Sequence, residues 1–304
     1  MYTAPYDKCY NTSMEIEKRE LLSLDDVENI GIDALMRAFE VIKELGPRGE
    51  ERIHKNQFNE TALRADVEAE QAVIEVLRQS GIPIVIDSEE HKVVLLSNQP
   101  QYYAVLDGVD GSVEYETTHG QGRYGSMLGI FQSENPTYGD YLFQGIMEHA
   151  TQSLYFAVKG KSAFLKTSAK ISQISTSGSK RLDQNTRVYF SENDFDTFGA
   201  DKTPFLHVLH GIRYTRLGST ESHYADLASG RVDVVIEPSR KGNLEPAAAY
   251  GLIVEAGGAI GTIQGEFLRD KKFKEFGQKE SVPLIATATP ELFHAIIQRL
   301  SNRH

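Results

Sequence analysis

The chain has 304 residues with 43 acidic and 32 basic side chains, a formal charge of −11. That length suffices for one large core or two closely packed lobes, and 40% hydrophobic with 25% charged residues is an ordinary globular balance that excludes a disordered or fibrous chain. The acidic excess argues against a nucleic-acid polymer as partner, since that needs a basic footprint; small phosphate esters stay open, provided cations stand between carboxylates and phosphate.

Residues 1–24 read as a loose N-terminal arm. Ile30, Leu35, Phe39, Ile42 and Leu45 recur at roughly helical spacing and predict a helix that Gly46-Pro47 ends. The charged stretch 47–60 reads as a mobile segment, and a second helix is expected over 66–79, with Val67, Ala72, Val73, Val76 and Leu77 on its apolar side and Gly81 as its stop. Short apolar runs then predict strands at 82–86, stopping at Asp87, and at 102–106, stopping at Asp107, with more strands near 125–132, 145–148, 153–158 and 163–165. The Ser/Thr/Lys-rich stretch 167–184 reads as a crossover or linker, which sets an N-terminal lobe at 25–167 and a C-terminal lobe at 185–304.

In the second lobe a strand is expected at 186–190, then a helix at 220–229 closed by Gly230 and a strand at 232–236. Another helix opens after Glu245, with Pro246 at its first position, where a missing N–H costs nothing, and ends at Gly257-Gly258. A strand at 283–287 and a helix at 290–300 close the chain. Helices and strands mix without a strict βαβ rhythm, which indicates a layered α+β architecture. The single cysteine, Cys9, excludes an internal disulfide and a Cys-based zinc site. No apolar run approaches the ~18 residues of a membrane span and residues 1–20 hold no apolar signal core, so a cytoplasmic location without membrane association is expected.

The chemistry gathers at Asp107-Gly-Val-Asp-Gly-Ser112. Two carboxylates three residues apart follow an apolar strand, and strand ends are where α/β sheets tend to hold ligands. Asp107 and Asp110 could grip one hard cation, with the Val109 carbonyl as a third oxygen; Mg²⁺ takes such oxygen donors. Backbone N–H groups at Gly111 and Ser112 would open a short helix or turn that suits a phosphate. The competing reading is a tight turn, since Asp-Gly is a strong hairpin signal. Further acids stand at other element boundaries: Asp87-Ser-Glu-Glu-His91 after a strand, Asp66 opening a helix and Glu245 before one. Each has a plainer reading, as a solvated loop, an N-cap or a charge on a helix dipole. Gathered together these carboxylates would repel one another and raise their own pKa values, a penalty that a bound cation removes.

At these residues the chain resembles the superfamily of inositol monophosphatase and fructose-1,6-bisphosphatase. The resemblance rests on Glu89-Glu90, on Asp107-Gly-Val-Asp-Gly-Ser112, and on Glu245 leading to Glu255-Ala-Gly-Gly258. Softer matches are Gly160-Lys-Ser-Ala163, Leu217-Gly-Ser219 and Leu227-Ala-Ser-Gly-Arg-Val-Asp233, so that the likeness covers roughly residues 30–300. It implies a layered αβαβα sandwich and magnesium-dependent phosphomonoester hydrolysis on a small phosphorylated sugar or inositol. It also implies two or three Mg²⁺ ions per subunit, Mn²⁺ as a substitute, and a homo-oligomer, a dimer being favoured. By matching position Asp66, Glu89, Asp107, the Val109 carbonyl, Asp110 and Glu245 look like metal ligands. Asp66, Glu89 and Ser112 would position the attacking water, and Gly111 with Ser112 would receive the phosphate. Arg216, Ser219, Glu237, Arg240 and Lys241 are candidates for the rest of the substrate.

Three positions depart from the family pattern. Glu245 stands where most inositol-type members have Asp, Gly108 replaces the usual Pro and is expected to loosen the loop, and Glu114 replaces a common Asn. The alternatives are a nucleotidase acting on a 3′(2′),5′-bisphosphate, or a catalytically degenerate metal-binding regulator of the same fold.

Overall fold

Ser23 starts the first helix, α1 (Leu24–Leu45): its hydroxyl accepts from Asp26 N at 3.1 Å while the Asp26 carboxylate reaches back to the Ser23 N–H, a capping box. The computed structural model describes residues 21–216, 218–239 and 243–302; most of the expected N-terminal arm therefore lies outside the described residues. Gly31 lets α1 close on the sheet beneath it, because a Cβ there would stand 2.4 Å from the Phe143 ring.

The stretch after α1 is not the expected mobile segment. A turn at Gly46–Glu50 leads into a hairpin of β1 (Arg52–Lys55) and β2 (Thr61–Leu63). Its outward face is charged and shows no alternation of apolar residues, which is why the sequence reads as loop. Next come α2 (Arg64–Gln79), β3 (Ile84–Ser88), β4 (Lys92–Leu95), β5 (Tyr102–Asp110), α3 (Ser112–Thr118), β6 (Gly125–Gln132), β7 (Tyr141–Glu148), β8 (Ser153–Val158), β9 (Ser162–Lys166) and β10 (Ile171–Ile174). The strand β10 falls inside the stretch expected to be a linker: it pairs antiparallel with β9, so the first sheet runs past position 167.

The second half holds β11 (Val188–Phe190), α4 (Glu192–Phe198), α5 (Thr203–Val208), β12 (Tyr214–Thr215), α6 (Thr220–Ala228), β13 (Val234–Pro238), α7 (Leu244–Glu255), β14 (Ala259–Thr262), β15 (Pro283–Thr287) and α8 (Pro290–Ser301). The short elements β4, α4, α5, β12 and β14 span seven residues or fewer, too short for a period to show in the sequence.

Two sheets organise the molecule. One has eight strands in the order β10-β9-β8-β7-β6-β5-β3-β4, the other five in the order β12-β11-β13-β15-β14. Helices α1 and α2 cover the outer face of the first sheet, α6 and α7 lie between the sheets, and α4, α5 and α8 cover the far side of the second. This is the five-layer αβαβα sandwich and the mixed α+β class that the motifs imply. The middle layer is enclosed on two faces: every residue of α6 is buried, polar ones included, and α7, mostly apolar, is buried from Leu244 to Ile253. Among the described residues no helix is long and apolar enough to cross a membrane.

Candidate active site

Strands β3 and β5 run parallel and adjacent, with Ser88 opposite Leu106. The Glu89 amide continues that ladder, donating to the Leu106 carbonyl at 3.1 Å. The Glu89-Glu90 turn and Asp107 therefore leave the sheet at the same level, the condition under which two separate acidic motifs share one pocket.

In a regular strand residues three apart point to opposite faces. Asp107 and Asp110 escape that rule because the pairing of β5 with β6 breaks register between them. Carboxylate oxygens of Asp107, Asp110 and Glu245 lie within 4.8 Å of one another, all three residues buried. Glu245 comes from the other side of the cavity, in the first turn of α7 rather than ahead of it as the sequence suggests: Asn243, at a φ of 53°, is the cap.

Gly108 corrects another expectation. A Cβ at this position would lie 2.4 Å from the Asp66 carbonyl and 2.8 Å from Glu70 Cγ. The glycine permits α2 to press its first turn against β5, so it tightens the site rather than loosening it. Gly111 has a φ of +95°, and a Cβ there would stand 2.7 Å from Ser219 Cβ; only glycine meets both demands. It caps α3, which Ser112 opens as expected.

Asp66 accepts from Leu63 N at 2.6 Å and lies 2.9 Å from Ser112 Oγ, which in turn is 3.0 Å from the Val109 carbonyl. Glu70 is one helical turn further along the same face of α2. Fully buried, it accepts from the amides of Glu89 at 3.1 Å and Glu90 at 3.0 Å, from the Ser88 hydroxyl, and pairs with His91 Nδ1 at 3.0 Å. It shapes the acidic turn and was not among the sequence candidates, although its i+4 spacing from Asp66 was visible. Asp110 Oδ2 accepts the Glu221 amide at 2.6 Å in the first turn of α6, a contact with no local sequence signal.

Burial and mutual repulsion set the electrostatics. Burial first, then Glu89, Asp110 and Glu245, push the Asp107 carboxyl well above its ordinary value, and Asp107 Oδ1 is buried without a hydrogen-bond partner. Burial and then Glu245, Glu70 and Asp66 do the same to Glu89. Burial lifts Asp66 to about 8 against the lowering effect of the Leu63 amide, and lifts Glu90 to about 7 against the lowering effect of Asn56. Asp66, Glu89 and Asp107 make no ion pair with any described lysine or arginine.

These groups open on a cavity of about 620 Å³. Glu89, Asp107, Val109, Asp110, Gly111, Ser112, Arg216 and Glu245 all line it; Asp66 sits behind Ser112. Ser219 and Glu237 do not line it. Ser219 is buried and donates to the Arg123 carbonyl at 3.0 Å, and Glu237 is held by the Tyr224 hydroxyl and lies 3.7 Å from His223. Arg240 and Lys241 lie outside the described residues. Arg52, Asn56, Phe58, Glu114, Asp194 and Phe198 also border the cavity; all but Glu114 come from segments in which the sequence showed nothing.

The model of the inositol monophosphatase family matches residues 23–303. The chain belongs to that family. Its members are phosphatases and depend on metal. Among similar family proteins is one from Methanothermobacter thermautotrophicus described as a fructose-1,6-bisphosphatase/inositol-1-monophosphatase. It is 28% identical over 244 residues, 77% of this chain and 81% of that one. A bifunctional NADP phosphatase/NAD kinase of Methanococcus maripaludis is 26% identical over 213 residues, 67% of this chain but 37% of that protein. The fold is that of solved family structures. The Thermotoga maritima IMPase superposes with a TM-score of 0.69 at 18% identity, over 90% of this chain and 96% of that one. The extragenic suppressor protein suhB of Bartonella henselae gives 0.71 at 18% identity, over 91% and 99%.

The residues present fit a metal of this family's kind. The donors are hard carboxylate oxygens with the Val109 carbonyl beside them, and they gather where like charge is costly and Asp107 Oδ1 lacks a partner.

Proposed function

We propose that the chain is a magnesium-dependent phosphomonoesterase acting on a small phosphorylated sugar or inositol. The observation that carries this reading is the convergence of Asp107, Asp110 and Glu245 within 4.8 Å at the floor of the cavity, beside a Ser112 hydroxyl held by Asp66. Asp66, Glu89, Asp107, the Val109 carbonyl, Asp110 and Glu245 would hold two or three Mg²⁺ ions, with Mn²⁺ as a substitute. When bound, the metal supplies Lewis acidity toward the phosphoryl oxygens and a nucleophilic water at neutral pH.

The protein's own part is placement. The single proton of the Ser112 hydroxyl goes to Asp66 Oδ1 or to the Val109 carbonyl, at 2.9 and 3.0 Å, which leaves the hydroxyl oxygen free to accept from the attacking water. Glu89, which lines the same cavity, would help position that water. The amides of Gly111 and Ser112 receive the phosphoryl oxygens, and Arg216 faces the rest of the substrate across the cavity. Phosphate monoesters hydrolyse so slowly in water that accelerations up to ~10²¹ are known, so measurable turnover requires an assembled site.

A second reading has support of its own. Phe58 and Phe198 bring two aromatic rings to the same cavity, a surface suited to the base of a nucleoside 2′- or 3′-phosphate. One panel separates the readings: phosphate release from hexose phosphates and bisphosphates, inositol phosphates, adenosine 3′,5′-bisphosphate and NADP⁺, each with Mg²⁺ and with chelator. Turnover of sugar or inositol esters that chelator abolishes supports the first reading. Turnover confined to the nucleotides supports the second, and magnesium-dependent release from any member, absent in Asp110→Asn, excludes a metal-binding regulator that keeps the fold.

A further inference from the structure

The break in register that turns Asp107 and Asp110 to one pocket has a cost at the backbone. Asp107 pairs with Met127 and Asp110 with Gly125, so Gly108 and Val109 together face one residue of β6, Ser126. Where two residues oppose one, the ladder is interrupted and the backbone needs another partner. The Gly108 carbonyl has one: the Ser126 hydroxyl donates to it at 2.6 Å, and Ser126 Oγ lies 2.9 Å from His149 Nε2. Ser126 is 0% and His149 5% exposed. His149, just past β7, is itself held. Its amide donates to the Tyr124 carbonyl at 3.1 Å. Its ring stacks on Tyr124, with centroids 5.2 Å apart and planes 16° apart, and on Phe39 of α1 at 5.9 Å and 21°.

The protons along this chain of groups have one consistent arrangement. Burial pushes the His149 imidazole down to about 3, so the ring is neutral and carries a single N–H. Were the Ser126 proton given to Nε2, the ring N–H would sit on Nδ1, which is buried without a hydrogen-bond partner. The oxygens of Ser126 and Gly108 would then face each other with no hydrogen between them. With the hydroxyl proton on the Gly108 carbonyl, Nε2–H donates to Ser126 Oγ and Nδ1 keeps only a lone pair. Both donors are then used, and a bare acceptor is the lesser loss.

Gly108 needs such a hold. It stands where the family usually has Pro, which fixes its own φ. Glycine is required here by the close approach of the Asp66 carbonyl, but it leaves the backbone free to rotate. The Gly108 carbonyl belongs to the peptide that leads into Val109 and Asp110, so its direction aims both. Neither Ser126 nor His149 lines the cavity; they act from behind it. We propose that His149 is a positioning residue that, through Ser126, fixes the Gly108 peptide in the orientation that turns Asp107, the Val109 carbonyl and Asp110 toward one cation. The inference rests on the reading that these groups hold a cation, and it goes beyond it by assigning what aims them.

The test uses the full chain, with no substrate. In ¹⁵N-labelled, metal-free wild type at neutral pH, the ring nitrogen shifts should show His149 as the Nε2–H tautomer. Mn²⁺ affinity is then measured by titration calorimetry. Ser126→Ala should weaken it about 10- to 100-fold, the range for a residue that orients a ligand. His149→Leu should weaken it about 10-fold, and His149→Gln, whose Nε2 donor has a similar reach, should recover most of that loss. Leucine and glutamine are alike in size and both lose the ring stack, so the gap between them reads the donor. An Nδ1–H tautomer or an imidazolium in the wild type would overturn the inference, and this needs no variant to fold. Equal losses in the leucine and glutamine variants, or wild-type affinity in a folded Ser126→Ala, would also overturn it and leave the proposed function standing. Absence of any Mn²⁺ binding to the wild type would overturn both.

Discussion

Two groups of buried acids lie close together in this protein, and they are neutralised in opposite ways. Between the sheets, Glu148 and Asp226 are gripped by Arg123, at 2.6 Å and 2.8 Å, and Arg231 adds a contact of 2.6 Å to Asp226. The Tyr189 hydroxyl donates to Asp226 at 2.7 Å. Burial would raise the Asp226 carboxyl, yet the hydrogen bonds from Arg123 and Tyr189 pull it below its ordinary range. At the cavity, buried Asp66 and Asp107 and half-buried Glu89 pair with no described cationic side chain, and each is driven upward. The first group completes its charge balance inside the fold. The second is left for something that arrives from solution. Buried acids as such therefore do not mark a metal site; buried acids that the fold declines to pair do.

Asp110→Asn should break the cavity group most severely. Loss of one carboxylate from the cluster is expected to lower metal-dependent phosphate release more than about 100-fold, beyond the effect of altering a residue that only supports a ligand. The folded state should persist by circular dichroism, and the metal-free variant should melt no lower than wild type, because a repulsion has been removed. Wild-type turnover in this variant would end the assignment of Asp110.

Arg123→Leu addresses the other group and should show the reverse pattern. It leaves Glu148 and Asp226 without their shared guanidinium, at a cost of about 3 kcal/mol in stability read from the denaturant midpoint. Mn²⁺ affinity is expected to change far less than in Asp110→Asn. Equal losses in both measurements would erase the distinction between the regions.

Gly108→Ala tests the close approach that joins α2 to β5. The added methyl must displace the Asp66 carbonyl, which would be 2.4 Å away, at about 1–3 kcal/mol. A neutral substitution would revive the looser loop that the sequence suggested.

The pH dependence tests both groups at once, because they separate by sign. Asp66 and Glu90 have folded values raised to about 8 and about 7, so the metal-free native state binds more protons than the unfolded chain between pH ~4 and those values. Stability must then fall as pH rises through that window. The melting temperature of the metal-free protein is expected to drop from pH 5 to pH 8, and saturating Mg²⁺ should flatten or invert the trend. Asp226 and Asp233 are lowered, so their contribution is present above the ordinary carboxylate range and is lost as pH falls below about 4. A metal-free melt that rises between pH 5 and pH 8 would contradict the picture of an uncompensated cavity cluster.

Much of the site was legible in the chain because its parts are local. Asp107-Gly-Val-Asp-Gly-Ser112 sits at a strand end, Glu89-Glu90 follows another apolar run, and Glu245 opens a helix, each within a few residues of the signal that marks it. The long, periodic helices α1, α2 and α8 and the apolar strands β5 to β8 were equally readable, since burial on one or both faces writes a period into the residues. The hairpin β1–β2 and the strand β10 were not: the hairpin's exposed residues and the strand's polar ones carry no continuous apolar stripe.

Residue types and spacing, then, determined by themselves that this protein would carry clustered carboxylates at element ends, in a mixed layered fold. Only the tertiary structure decided which of those carboxylates meet. It paired β3 with β5 in parallel, broke the β5–β6 register so that Asp107 and Asp110 face one pocket, and brought Asn56 to Glu89 and the Glu221 amide to Asp110. It also turned Ser219 and Glu237 inward, away from the cavity wall. Those contacts join positions tens to more than a hundred residues apart, and their distances are set by packing of whole layers, on which the local sequence is silent.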